Sequence, residues 1–415
     1  MCQALIMVDF KTVQAFDFQG KTVVLRADLN VPMKDGVITD NERILASLDT
    51  IKYLLGHNCK IVLLSHLSRV KSLDDKKGKK SLQPVASALQ NLLKNTKVHF
   101  CPENTGDKVK VAVNQLPLGE ILVLENTRYC DVNEAGEVVK HESKNNAELA
   151  QFWASLGDIF VNDAFGTAHR RHASNAGIAK YIKNSCIGLL MERELINLYR
   201  LINNPPKPFV VVLGGAKVSD KLQVVNNLFK IADHILIGGG MVNTFLKALG
   251  NEVGTSLVEE DLVQTAKQIL DSDKDKKIVL GVDQMLHASF KDEPGVECVV
   301  APQWPAELQG FMSLDVGSKT VALFSSYLAK AKTIFWNGPM GVFEFSNYAQ
   351  GTLAIGKAIA QNQQAFSVIG GGDSAAAAKQ LQIADQFSFI STGGGASLAL
   401  IGGEELVGIS DIQKK

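Results

Sequence analysis

The chain has 415 residues, 46% of them hydrophobic and 21% charged, with 43 Lys and Arg against 43 Asp and Glu. That length exceeds what one hydrophobic core usually fills, so two domains are expected. The neutral balance argues against general binding of nucleic acid or other polyanions, which favours a basic excess, while leaving room for a local basic cleft. At the N-terminus, the apolar run of residues 2–8 is too short for a signal sequence and stops at Asp9. No apolar stretch reaches the roughly twenty residues of a membrane span. The six cysteines, Cys2, Cys59, Cys101, Cys130, Cys186 and Cys298, lie far apart and contain no C-x-x-C pair. Such spacing suits neither a zinc site nor a disulfide framework, so reduced thiols and a cytoplasmic location are expected.

Along the chain, short β-rich apolar runs alternate with amphipathic helices, the pattern of parallel sheets made from βαβ units. Strands are expected at 22–25, 60–64, 121–124 and 158–161, then at 209–213, 234–237, 277–280, 333–336, 366–369 and 387–390. Their nearly unbroken apolar character suits strands buried on both faces. Thr39-Asp-Asn-Glu42 has the form of a capping box opening a helix with the stripe Ile44, Leu48, Ile51 and Leu55. Between the halves, 186–203 reads as one helix, halted by Pro205, Pro206 and Pro208. Its stripe is Ile187, Leu190, Leu198 and Leu201, broken only by Glu194. The charge-rich stretches 71–80 and 271–277 contain aspartates among their lysines and read as solvated loops.

Ligands of open parallel sheets bind beyond the carboxyl ends of the strands. In the first half every such end carries a cation: Arg26-Ala-Asp28-Leu-Asn30, Ser65-His66-Leu-Ser-Arg69, Glu125-Asn-Thr-Arg128, and Asn162-Asp163 running on to His169-Arg170-Arg171-His172. Together they suggest one anion-binding basin. In the second half the ends are glycine-rich: Gly214-Gly-Ala-Lys217, Gly238-Gly-Gly-Met241, Asn337-Gly-Pro-Met-Gly341, Gly370-Gly-Gly-Asp373 and Thr392-Gly-Gly-Gly395. Glycine lets phosphate approach the backbone, and a following helix N-terminus offers free N–H groups. A nucleotide-phosphate site follows. Arg43, in the first turn of its helix, opposes the helix dipole, and an incoming anion would make it worthwhile there. Lys217 and Lys221, read as four apart at a helix start with stripe Val218, Leu222, Val225 and Phe229, would repel each other until a polyphosphate bound.

Two apparent motifs fail. Gly351–Ala358 lacks the final Ser or Thr of a P-loop and no strand precedes it, and Gly370–Ala375 lacks the acidic partner of a dinucleotide fold. No serine-nucleophile elbow, H-E-x-x-H or H-R-D is present. Phosphoryl transfer to or from a carboxylate needs none of them, because a carboxylate of pKa about 4 is already ionised at neutral pH. Positioning and charge neutralisation then suffice.

These residues resemble one family, phosphoglycerate kinase, from Val23 onward and without large insertions. The resemblance rests on Arg26-Ala-Asp-Leu-Asn-Val-Pro32, Ser65-His-Leu-Ser-Arg69, Asn162-Asp-Ala-Phe-Gly-Thr-Ala-His-Arg170, Gly214-Gly-Ala-Lys-Val-Ser-Asp-Lys221, Trp336-Asn-Gly-Pro-Met-Gly-Val-Phe-Glu344 and Gly370-Gly-Gly-Asp373. It implies an α/β fold of two Rossmann-like domains with parallel sheets, facing each other across a hinge-bending cleft and joined by an interdomain helix. The implied division is 1–185 for phosphoglycerate, 186–204 for the helix, 205–395 for nucleotide, and 396–415 returning to the first domain. The implied reaction is reversible transfer from 1,3-bisphosphoglycerate to Mg-ADP, giving 3-phosphoglycerate and Mg-ATP. The alternative is a catalytically inactive, ligand-binding paralogue, which should have lost Arg43, Lys217 or Asp373.

By the same resemblance, Asp28, Asn30, Arg43, His66, Arg69, Arg128 and Arg170 bind phosphoglycerate. Arg43 and Lys217, with N–H groups of Gly372 and Gly395, serve the phosphoryl group in flight. Lys217, Lys221, Gly238, Gly239, Ser313, Asn337, Glu344, Gly371, Gly372, Asp373 and Ser374 hold nucleotide, and Asp373 holds Mg2+. A monomer is implied, with neither nucleic acid nor membrane as partner. The sequence departs from the family pattern at Ser68 and Ser313, where Gly is common, at Val70 and Ser318, where Pro is frequent, at Ser374, which stands for a common Thr, and in the tail Glu404-Glu405-Leu-Val-Gly408.

Overall fold

The computed structural model describes residues 8–76, 78 and 80–415; Cys2 and residues 3–7 of the N-terminal run lie outside them, as do Lys77 and Lys79 of the charge-rich stretch. The chain forms two compact units, one of residues 1–196 with 405–415 and the other of residues 197–404. Each is built on a six-stranded parallel sheet.

In the first unit the strands lie in the order Val98–Cys101, Ile121–Leu124, Lys60–Leu64, Thr22–Arg26, Ile159–Asn162, Asn184–Ile187. Val23 pairs with Ile61 on one side and Ile159 on the other. Of the central strands, Thr22–Arg26, Ile121–Leu124 and Ile159–Asn162 are buried, but for the half-buried Thr22, as suits runs of Val, Ile and Leu covered on both faces. The chain leaves Thr22–Arg26 first to one side and then to the other, which puts a topological switch point at Arg26. In the second unit the order is Ile278–Leu280, His234–Ile237, Phe209–Leu213, Thr333–Asn337, Phe366–Ile369, Phe389–Ile390, and the switch point falls at Leu213. An antiparallel sheet of Val296–Val299, Asp283–His287 and Met312–Val316 is added to this unit.

Several expectations are corrected. Residues 186 and 187 belong to the edge strand Asn184–Ile187, and the helix is Leu189–Ile202. Gly188 separates them, since a Cβ there would lie 2.2 Å from Asp163 Oδ1. The unit boundary falls at 196/197, within that helix, and the short helix Gly395–Ile401 belongs to the second unit. Residues 405–415 belong to the first unit, where the Gly408 N–H donates to Ala168 O at 2.7 Å. The helix Glu42–Gly56 buries Ile44, Leu48 and Ile51 as expected, with Leu54 rather than Leu55 completing the stripe. No capping box closes it: Asp40 Oδ1 accepts the Glu42 N–H at 2.8 Å, and the Thr39 hydroxyl donates to Pro32 O. Gly351–Ala358 lies within the helix Gln350–Gln361. Among the described residues, the five cysteines are free and no helix is long and apolar enough to cross a membrane.

Candidate active site

At the switch point of the first sheet, Arg26 ends its strand with no exposed surface. Its Nε donates to Ser174 Oγ at 2.8 Å, Nη1 to the carbonyl of Ala27, and Nη2 meets His66 Nδ1 at 3.2 Å. Two residues on, Asp28 is buried and pairs with Arg43. Burial opposes ionisation of Asp28, but the surrounding cations, Arg43 foremost, outweigh it and hold the carboxyl below its usual range. Arg43 thus has a carboxylate partner in Asp28. Gly166 supports the pair from behind: a Cβ there would lie 2.2 Å from Asp28 Oδ2.

The other strand ends converge on the same place. Asn30 Oδ1 accepts the Ser68 N–H at 2.8 Å, joining the loops that follow two neighbouring strands. Ser68 has φ 56°, a left-handed value that suits the Gly common at this position. Asn126 accepts N–H groups from Leu67 and Arg128, which sets the start of the turn carrying Arg128. The Arg128 guanidinium donates to Asp131 at 3.0 Å and to Ser143 at 2.6 Å, and lies 3.4 Å from His172 Nε2. Arg170 donates to His169 Nε2 at 3.0 Å. Burial, then Arg128 and Arg69, push its pKa down, and Asp28 only partly opposes them. Burial first, then the cations, pulls His66 down to about 3 and His172 to about 2, so both rings are neutral at pH 7.

Around Asp28, Asn30 and the neutral His66, the cations Arg43, Arg69, Arg128 and Arg170 therefore gather in one place. Reading the sequence did not assign roles to Arg26, Gly166 or the buried acids Asp131 and Glu142. Glu142 is completely buried and accepts from both the N–H and the hydroxyl of Ser174.

In the second unit the glycine-rich ends at Gly215, Gly239 and Gly341 line a cavity of about 330 Å³, joined by Asp373, while the end at Gly393–Gly395 does not reach it. Gly239, Ser313, Glu344 and Asp373 line it, with Leu257, Phe290, Asp315 and Val342. Gly238 sits under the sulfur of Met340, which leaves no room for a Cβ. Ser313 donates its N–H to Ser256 at 2.8 Å, and Ser374 Oγ accepts the Gly338 N–H. Asn337 Nδ2 donates to Gly370 O at 2.6 Å, while its Oδ1 is buried without a partner. Gly371, at φ 92°, precedes the helix Gly372–Gln380, so Gly372 and Asp373 occupy its first turn. Gly395 opens the helix Gly395–Ile401.

The lysines differ from expectation. The helix begins at Leu222, so Lys217 and Val218 precede it and Lys221 is its N-cap. Lys221 is half-buried; burial lowers its pKa, opposed by Asp220 and Asp373. A Cβ on Gly215 would lie 3.3 Å from Lys221 Nζ, which places the ammonium beside the first glycine loop. Lys217 is exposed and helps to keep Glu259 ionised, although hydrogen bonds from Ser219 and Val218 contribute more against the burial of that carboxylate. Asp315 was not foreseen: both its oxygens accept backbone N–H groups, from Val316 and Gly351 at 2.8 Å each. Burial nevertheless pushes it up to about 7.

A sequence model of the family described as phosphoglycerate kinase matches residues 13–404. The phosphoglycerate kinase of Mycoplasma genitalium is 70% identical, the match spanning 98% of this chain and all of the relative. That of Macrococcus caseolyticus is 51% identical over 98% of this chain and 99% of the relative. Among solved structures, phosphoglycerate kinase from Coxiella burnetii superposes with a TM-score of 0.85 at 36% identity, covering 97% of this chain and 98% of that one.

Proposed function

The chain belongs to the phosphoglycerate kinase family, and from that premise we propose how its residues carry out phosphoryl transfer between 1,3-bisphosphoglycerate and ADP, giving 3-phosphoglycerate and ATP. The observation that carries the reading is the gathering of Arg43, Arg69, Arg128 and Arg170 around the carboxylate of Asp28 at the strand ends of the first sheet, more cations than that acid can balance. Such a cluster is relieved by a bound anion. Asp28, Asn30, His66, Arg69, Arg128 and Arg170 hold the phosphoglycerate, with the neutral His66 ring acting as a donor rather than a charge. The acceptor carboxylate is ionised at neutral pH without assistance and needs no general base.

The nucleotide base enters the cavity lined by Ser313, Leu257, Phe290 and Glu344. Gly238, Gly239, Gly371, Ser374, Asn337 and Lys221 bind sugar and phosphates, and the unpartnered Asn337 Oδ1 awaits a donor. Arg43 and Lys217, with N–H groups of Gly372 and Gly395, neutralise charge as the phosphoryl group moves. Asp373 is exposed in the first turn of its helix and lines the cavity. That position would let it hold Mg2+ by one carboxylate together with substrate phosphates, and the ion would offset phosphate charge. The enzyme acts as a monomer in the cytoplasm. The inactive-paralogue reading is not favoured, since Arg43, Lys217 and Asp373 are all retained.

The test is transfer from Mg-ATP to 3-phosphoglycerate with hydroxylamine trapping the acyl phosphate. Trapped product is expected from the wild type and not from Lys217→Ala. Absence of product from a wild type that binds both ligands would overturn the reading.

A further inference from the structure

The buried chain Glu142, Ser174, Arg26, His66 has a direction fixed by its chemistry. A guanidinium has only donors, so where Arg26 Nη2 meets His66 at 3.2 Å, the ring nitrogen Nδ1 must accept. The neutral ring then carries its proton on Nε2, on the opposite side. Arg26 Nε donates to Ser174 Oγ at 2.8 Å, and the Ser174 hydroxyl passes its own hydrogen to Glu142. The Ser174 N–H also donates to Glu142, at 3.0 Å. Every hydrogen in the chain therefore points toward the carboxylate or the imidazole, and Arg26 stands between them.

Glu142 and Arg26 are both completely buried. A guanidinium in that position is costly without a nearby negative charge, and the charges acting favourably on it are Glu142 first and Asp28 second. Asp28 is already engaged by Arg43. Glu142 is thus the group that keeps Arg26 in place against His66.

We infer that Glu142 is a positioning residue for phosphoglycerate: through Ser174 and Arg26 it fixes His66 as the Nε2–H tautomer, which meets the ligand anion as a neutral donor. The inference rests on the assignment of His66 to the phosphoglycerate site. It touches no nucleotide residue, so its effect belongs to one substrate only.

The experiment uses the full chain with 15N-labelled histidine, and two-bond 1H–15N spectra near pH 7, with His66 identified by its loss in His66→Gln. The wild type is expected to show Nε2–H alone. In Glu142→Gln and Ser174→Ala the Nδ1–H form gains population. The KM for 3-phosphoglycerate rises about tenfold, the loss of one charge-assisted hydrogen bond, while that for nucleotide is unchanged. An unaltered tautomer in the variants overturns the inference. So does an equal rise of both KM values with a lowered melting temperature, which marks structural damage alone. Ser174→Ala decides the matter if Glu142→Gln does not fold. An inactive wild type with the Nε2–H signature would overturn the proposed reaction and leave the tautomer assignment intact.

Discussion

Arg43 is held by the carboxylate of Asp28, and the two side chains differ sharply in exposure, 34% for the arginine against 7% for the aspartate. The bond uses Nη1, so the acid anchors one edge of the guanidinium and other donors remain for a ligand. A cation in a helix first turn is unfavourable by itself, and Asp28 offsets that cost before any substrate arrives.

If Arg43 acts on the phosphoryl group in transit, Arg43→Ala lowers kcat on the order of 10²–10³-fold. Nucleotide affinity stays near the wild-type value. Steady-state kinetics beside calorimetric titration of nucleotide separate the two effects, and an equal loss in both contradicts the assignment.

Gly166→Ala places a methyl group against Asp28 and forces the Asp28–Arg43 pair apart. The expected result is a rise in KM for 3-phosphoglycerate of about tenfold with a fall in kcat. Circular dichroism should show an intact fold. Kinetics like the wild type would mean that the pair can shift without consequence.

Ser68 stands in left-handed backbone, where a side chain costs about 1–2 kcal/mol and glycine does not. Part of that gain is lost to the greater entropy of glycine in the unfolded chain. Ser68→Gly should therefore stabilise the protein by about 0.5–1 kcal/mol in urea unfolding. A destabilised variant would show that the serine side chain contributes more than its backbone strain costs.

Asp315 gives a pH signature. Its folded pKa is pushed up to about 7 by burial, from an ordinary value of 3.8, so between those pH values the folded form keeps a proton that the unfolded chain has lost. The contribution is fully present below the lower value and is lost as pH rises through the upper one. Asp315→Asn removes it. Melting temperatures from pH 4 to 8 should show the variant gaining on the wild type up to about pH 7 and then running parallel. A constant offset would mean that the carboxyl titrates alike in both states.

Asp373→Asn tests the metal. It should raise the Mg2+ concentration needed for half-maximal rate by about tenfold or more, while affinity for metal-free nucleotide changes little. An unchanged magnesium requirement would remove Asp373 from that role.

How far the sequence reveals this site depends on where each partner lies in the chain. Central strands such as Phe209–Leu213 announce themselves as apolar runs, because burial on both faces demands it. Edge strands do not: Val98–Cys101 exposes His99, and Asn184–Ile187 merges with the apolar stripe of the next helix. The cations and glycines at strand ends were legible because the switch point gathers them by topology alone. Their counter-charges were not. Glu142 lies in His-Glu-Ser-Lys-Asn-Asn, a run that reads as solvated loop, and only the tertiary fold carries it to Ser174 and Arg26. The capping pattern at Thr39 misled for a local reason, since the Asp40 carboxylate reached the Glu42 N–H in its place. Lys217 and Lys221 were misread as helical because the repeat of Val218, Leu222 and Val225 extends four residues ahead of the first helical turn.

The tail carries a consequence for the order of synthesis. Asn162 Nδ2 donates to Gly408 O at 3.2 Å, the Gly408 N–H goes to Ala168 O, and Lys11 N–H donates to Gln413 O at 2.8 Å. The unit begun by the first 196 residues is therefore completed only by residues 405–415. On a ribosome, which extends its product from the N-terminus, the whole second unit emerges while the first still lacks its closing segment. The half made first is the half finished last, so nascent chains expose the Asn162 and Ala168 positions throughout elongation.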